Sequence, residues 1–187
     1  MSTEGTPVGA LSLGGLTAVP AAERPDLLPE PVRSALQAWD DGGGVGVVEI
    51  DPGLADTAAL TEAYDLPLEA SGNCVVVGGR RAGNERVAAC VVRADTRADV
   101  NNLVKRRLDV RKASFLSMDD AVERTGMEYG GITPVGLPAD WRLFVDESLT
   151  TMPVVIVGSG VRRSKLLLPG ALLAVLPGAE VVSGLGV

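Results

Sequence analysis

Two β-branched runs near the middle of the chain constrain its fold more than any other feature. Residues 73–77 read NCVVV and residues 87–92 read VAACVV, with GGRRAGNE between them. Runs of this kind form strands, and strands joined by a short polar segment pair antiparallel as a hairpin. The segment between them reads as a long, charged turn. Helical and strand patterns alternate elsewhere, which alone would fit a parallel sheet with crossover helices. An antiparallel pair at the centre excludes a strictly doubly wound sheet, so the expected class is α/β in the mixed α+β sense.

The remaining punctuation fills in this outline. VGVVEI (45–50) reads as a strand, and Asp51-Pro52 offers a cap and first residue for a helix within 54–64. Thr96 and Asp99 read as a loose capping box before an apolar helical face of Val100, Leu103, Val104 and Leu108. Ser117 repeats that start signal, and Gly126 ends the second helix. RLFVD and PVVIVGSG read as strands, followed by a helix near 169–176 and a closing strand around 180–183. Residues 1–30 are rich in Gly, Pro and Ala, which predicts partial disorder. PEPVRSALQAWDDGGG then predicts a short helix stopped by its Gly run. The expected organisation is an N-terminal extension over 1–44 and one domain over 45–187.

Composition narrows the chemistry. The chain is 46% hydrophobic but only 3% aromatic, so its core must be Val, Leu and Ala. No apolar run is long enough to span a membrane, and the N-terminus lacks the basic start of a secretory leader, so a cytoplasmic protein is expected. The net charge of −7 gives no general attraction to nucleic acid; that role would need a local basic patch. Histidine is absent, which excludes Ser-His-Asp and Cys-His catalysis and the usual His-containing zinc sites. Catalysis would have to use carboxylates, Lys, hydroxyls, thiols or backbone groups, and no metal or cofactor is expected. Cys74 and Cys90 lie on neighbouring predicted strands; a cross-strand disulfide is open to them, with buried thiols the favoured state.

Three segments could carry function. From Gly130 to Pro138 the chain holds three Gly and two Pro. Glycine permits positive φ and close backbone approach, and consecutive N–H groups there can converge on an anion or developing oxyanion. The same loop could also be a rigid connection and nothing more. VKRRLDVRK (104–112) carries five cations against one anion and could meet phosphates, although successive helical residues lie about 100° apart and cannot all face one partner. The bland alternative is a solvated helix end favoured by the dipole. GSGVRRSK (158–165) follows a strand but lacks the third glycine of a dinucleotide fingerprint and the GK[ST] of a phosphate loop. It could bring Arg162, Arg163 and Lys165 to the mouth of the first loop.

Four stretches together resemble the YbaK/ProX family of aminoacyl-tRNA editing domains, related to the insertion domain of bacterial prolyl-tRNA synthetases. In order they are ADTAALTEAYDL, NCVVVGG, VNNLVKRRLDVRKASFLSMDDAVERTGMEYGGITPVGLP and VVIVGSGVRRSKLLLPGALLAVL. The resemblance runs from about Asp51 to Val182. It implies a single domain with a mixed, mostly antiparallel, curved sheet flanked by helices. It also implies a trans-editing hydrolase that removes a small, wrongly attached amino acid, with proline tRNA the carrier. Gly130, Gly131 and Thr133 would position the ester, and Asn73 stands where the family usually has Lys. Pro134, Gly136, Lys112, Gly158, Ser159, Gly160 and Arg162 would contact the substrate. The implied partners are a tRNA acceptor end and a prolyl-tRNA synthetase, without membrane; oligomeric assembly stays open. Loss of the lysine keeps a second reading in view, a non-catalytic ligand- or partner-binding module on the same fold.

Overall fold

The computed structural model describes residues 10–187. Short pairings open it: β1 (Ser12–Leu13) with β2 (Leu16–Thr17), then β3 (Val19–Pro20). Helix α1 (Glu30–Ala38) has Pro31 in its first turn, where a missing N–H costs nothing. Strand β4 (Gly46–Glu49) follows, then α2 (Thr57–Tyr64), capped by the Asp56 carboxylate on the Ala58 N–H. Asp51 caps only a separate short turn, Pro52–Leu54. The hairpin consists of β5 (Gly72–Arg81) and β6 (Asn84–Arg93). A wide helical segment Val100–Val104 runs into α3 (Lys105–Leu108), then β7 (Ala113–Phe115) and α4 (Met118–Thr125). The C-terminal third holds β8 (Arg142–Asp146), α5 (Glu147–Thr150), β9 (Val155–Gly158), β10 (Ser164–Leu168), α6 (Gly170–Ala174) and β11 (Ala179–Val182).

Two sheets carry the molecule. One has the order β11-β8-β6-β5-β7, with β11/β8 and β8/β6 parallel and the rest antiparallel. The other, β3-β4-β10-β9, is antiparallel throughout. The mixed, mostly antiparallel expectation holds, divided over two principal sheets. Alternation along β6 explains the layering: Ala89 and Val91 face a core shared with Val155, Val157, Leu166 and Leu168 of the second sheet. Ala88, Cys90 and Val92 face a second core under Val104 and Leu108.

Four local expectations change. The hairpin turn has two residues, Ala82 and Gly83, because the ladder continues to Arg81↔Asn84. Both have positive φ, +50° and +82°, the combination that matches strand twist. Asp99, not Thr96, caps the helical segment, accepting from the N–H groups of Asn102 and Leu103. Ser164 and Lys165, read as the end of the Gly turn GSGVRRSK, begin a strand, Ser164–Leu168, with every residue buried. Within the weakly patterned region, residues 1–9 lie outside the described residues, while Leu16, Ala18, Leu27, Leu28 and Val32 are buried against the sheets. They belong to clusters that include Val47 and Val48 of β4 and Leu166, Leu167 and Leu168 of β10.

Register also decides the cysteines. Cys74 stands opposite Val91, and Cys90 opposite Val75. Offset by one residue, the two thiols point to opposite sheet faces, and both are free. Mass spectrometry after denaturation in an alkylating reagent without reductant should find both thiols alkylated; an unalkylated, oxidised pair would contradict this register.

Candidate functional site

The site begins as a gap in a sheet. β6 occupies one edge of β5 along its whole length. On the other edge β7 pairs only with residues 77–79, and Ile156 bridges at Ser71. Among the described residues, 73–75 between them have no strand partner on that side. Val76 sends its carbonyl to the Leu116 N–H there, so the alternation of strand bonding puts the backbone groups of Cys74 on the same open edge. A cavity of about 300 Å³ fills the gap, lined among others by Asn73, Cys74, Gly130, Ile132, Gly158 and Lys165.

Two glycine loops wall this cavity by packing backbone on backbone. The Gly160 N–H donates to the Gly131 carbonyl at 2.6 Å, and the Glu128 N–H donates to the Gly160 carbonyl at 2.9 Å. A Cβ on Gly131 would lie 2.7 Å from the Val161 carbonyl carbon, and one on Gly158 would lie 2.5 Å from the Ile132 carbonyl oxygen. Only glycine permits that approach. Gly130 takes φ +82°. Its N–H and that of Ile132 make no hydrogen bond among the described residues, leaving two amide donors beside the cavity.

The polar groups are few and of distinct kinds. Lys165, from β10, is 8% exposed, and its Nζ donates to the Ala55 carbonyl at 3.1 Å. It has no carboxylate within ion-pair distance among the described residues. Burial, then the nearby Arg162, hold its pKa below the usual lysine value, and Asp56 partly opposes them. Among the described residues Asp56 is the one carboxylate lining the cavity, and Lys165 the one cation. Asn73 accepts from the Thr57 hydroxyl at 2.9 Å. Burial pushes the Cys74 thiol pKa well up, which disfavours the thiolate that a nucleophile needs. Tyr129 stands at the rim, 56% exposed.

The residues singled out in the sequence separate into groups. Gly130, Gly158 and Asn73 line the cavity. Gly131 and Gly160 shape its wall through the backbone contacts above. Arg162 lies across the rim; its N–H donates to Glu128 Oε2, and its guanidinium donates to the carbonyls of Tyr129 and Pro52. Thr133 is fully buried, with its hydroxyl toward the Val135 N–H. Ser159 is fully buried too, donating to the Ser164 carbonyl. Neither hydroxyl lines the cavity, because each closes a turn of its own loop. Pro134 and Gly136 line a separate, apolar hollow of about 350 Å³ with Trp39 and Trp141. Lys112 lies outside the cavity, exposed at the start of β7. Tyr129 and Asp56 were not singled out in the sequence; Lys165 was, as part of a Gly turn at the mouth of the first loop, and the fold instead puts it inside the cavity on a buried strand, for which the run KLLL offered a signal.

Three comparisons bear on this geometry. The family described as the aminoacyl-tRNA editing domain matches residues 51–175. The uncharacterized protein YwhH of Bacillus subtilis (strain 168) is 28% identical over 135 residues, spanning 72% of this chain and 82% of that protein. Among solved structures, a protein assigned as a trans-editing enzyme for prolyl tRNA synthetase superposes with a TM-score of 0.70 at 23% identity, covering 83% of this chain and 97% of that one. The hypothetical protein APE2540 superposes with a TM-score of 0.72 at 23% identity, covering 84% of this chain and all of that one. At these identities the structures speak for the fold, and the family match carries the assignment. Matched over about two thirds of its length, the chain belongs to the aminoacyl-tRNA editing domain family.

Proposed function

We propose that this chain deacylates mischarged aminoacyl-tRNA in trans, and that the reaction takes place in the cavity beside β5. The observation that carries this reading is Lys165, a buried cation without a carboxylate partner among the described residues, set in the same cavity as the Gly130 and Ile132 amides, which are likewise unpaired there. The ester carbonyl would sit against these donors. Water adds to the carbonyl carbon, the bond to the ribose oxygen breaks, and free amino acid and uncharged tRNA leave. Negative charge developing on the carbonyl oxygen is what preorganised donors stabilise most. Asp56 faces the α-ammonium, and Asn73, held by Thr57, supplies a neutral hydrogen bond. The terminal base stacks on Tyr129.

Size favours a small aminoacyl group, since about 300 Å³ is at the low end of the ~300–1,000 Å³ typical of small-molecule sites. Such an activity has a physical rationale: a synthetase pocket separates amino acids by only ~1–3 kcal/mol per methylene, so a second, hydrolytic site is needed. The description of the solved structural relative favours proline tRNA as carrier and a prolyl-tRNA synthetase as partner. The cytoplasm, where charged tRNA is used, is the proposed location. Among the described residues no helix is long and apolar enough to cross a membrane.

The test is deacylation of a panel of charged tRNAs, including alanyl and cysteinyl esters on proline tRNA. Hydrolysis of one mischarged species, with correctly charged ones spared, is the expected result. No hydrolysis across the panel by folded protein would reject the deacylase and leave the binding module on the same fold.

A further inference from the structure

The end of the sheet farthest from the interstrand bridge at Ser71 carries a charge opposite to that of the whole protein. Arg80 and Arg81 end β5, Arg86 lies across the hairpin, and Arg111 and Lys112 lead into β7. All five are exposed. The Arg111 N–H donates to the Arg80 carbonyl, which fixes the two segments side by side. Against these five cations stand Asp109 and Glu85, a local net charge of +3. With −7 for the chain, the remainder holds −10. Asp109 is shared by Arg81 at 3.2 Å and Arg86 at 2.8 Å, while Arg111 and Lys112 have no ion pair among the described residues. A cationic patch on an anionic protein is the footprint of a polyanion-binding surface.

A second observation gives this patch a direction. Phe115, the last residue of β7, is 61% exposed on an edge strand three residues beyond Lys112. It stands opposite Val77, beside the unpartnered stretch 73–75 that opens into the cavity. At about 3.3 Å per residue along a strand, Val77 lies ~13 Å from Asn73, and Arg80 lies ~23 Å from it. Cations, an exposed aromatic ring and the cavity therefore follow one another along a single sheet edge. Single-stranded nucleic acid is bound by this combination, cations tracking its backbone and aromatic rings stacking its bases.

Resting on the deacylase reading, we infer that the edge from Arg111 and Lys112 across Phe115 to the cavity is a track for the unpaired 3′ end of an RNA. The phosphates lie at the cationic end and one base stacks on Phe115. The net negative charge elsewhere confines binding to this edge.

The probe is an uncharged RNA minihelix ending in four unpaired 3′ nucleotides, with a second minihelix lacking that tail. Binding is followed by fluorescence anisotropy over a salt series. Arg111→Glu/Lys112→Glu should weaken binding of the tailed minihelix at least tenfold and flatten the salt dependence by one to two units of log–log slope, since ~0.7–0.9 of a unit accompanies each lost phosphate contact. Phe115→Ala should weaken the tailed minihelix about tenfold, the loss of one stacked base, and leave the tail-less one unchanged. Unchanged affinity and slope in both variants would overturn the track, as would absence of RNA binding together with capture of an acidic peptide. The two readings fail separately. RNA bound through these residues without ester hydrolysis removes the deacylase and keeps the track. Hydrolysis with an unaltered KM for charged tRNA in both variants keeps the deacylase and removes the track.

Discussion

Lys165→Met should lower kcat/KM for ester hydrolysis by about 10²–10³, the usual loss when one preorganised donor to a developing oxyanion is removed. The same substitution should leave the melting temperature unchanged or higher. Both effects follow from one fact: the cation is buried and its pKa is held below the ordinary 10.5. A lysine whose folded pKa is lowered destabilises the folded state while it stays charged. That penalty is full below the folded pKa and fades as pH rises toward the unfolded value. The gain in stability of Lys165→Met should therefore be largest at neutral pH and disappear in strongly alkaline buffer. Affinity for a carbonyl or phosphate group should show the complementary profile, falling with rising pH before an ordinary lysine would deprotonate. Thermal melts and steady-state kinetics on the same preparation check both signs. A variant with wild-type kcat/KM would remove Lys165 from the reaction.

Gly131→Val should lose stability and activity together. The sequence alone suggests a variant that hydrolyses nothing yet keeps its fold, but the geometry revises that. The new Cβ would lie 2.7–2.9 Å from the backbone C, O and N of Val161, and a backbone cannot rotate away as a side chain can. The hydrogen bond from Gly160 to the Gly131 carbonyl would be strained, and the two loops would part. Overpacking of this kind costs about 1–3 kcal/mol, or roughly 2–12 °C at ~2–4 °C per kcal/mol for a domain of this size. Gly178→Ala is the contrast. Gly178 has φ +79° but nothing within 4 Å of an added Cβ, so only backbone strain of ~1–2 kcal/mol applies, and hydrolysis should continue. A Gly131→Val protein that melts like wild type would contradict the packing of the two loops.

What could be read in the sequence was mostly local. The hairpin, the Ser117 cap, the Gly126 stop and the strand at 142–146 each follow from a few neighbouring residues. The cavity wall was legible where backbone freedom was the signal, as at Gly130 and Gly131. It was not legible where burial decided the outcome. Thr133 and Ser159 carry hydroxyls that look available in a Gly-rich loop, yet both are consumed by turns in the interior. Pro134 and Gly136 follow Gly130 and Gly131 in the same loop but face the Trp39–Trp141 hollow. Lys165 was expected only at the loop mouth because GSGVRRSK reads as a Gly turn, whereas its last two residues begin a strand buried between β4 and β9. The family lysine missing at Asn73 suggested a weakened site; the fold supplies a different lysine to the same cavity from β10.

The most direct test of the central claim is an amide ¹H–¹⁵N titration with 3′-deoxy-3′-alanylamino-adenosine, a non-hydrolysable copy of the aminoacylated terminus. The largest shifts should fall on Asn73, Cys74, Gly130, Ile132 and Gly158 around the gap in β5, and Lys165→Met should abolish them. Shifts centred instead on Trp39, Gly136 and Trp141 would place the ligand in the apolar hollow and contradict the assignment of the site.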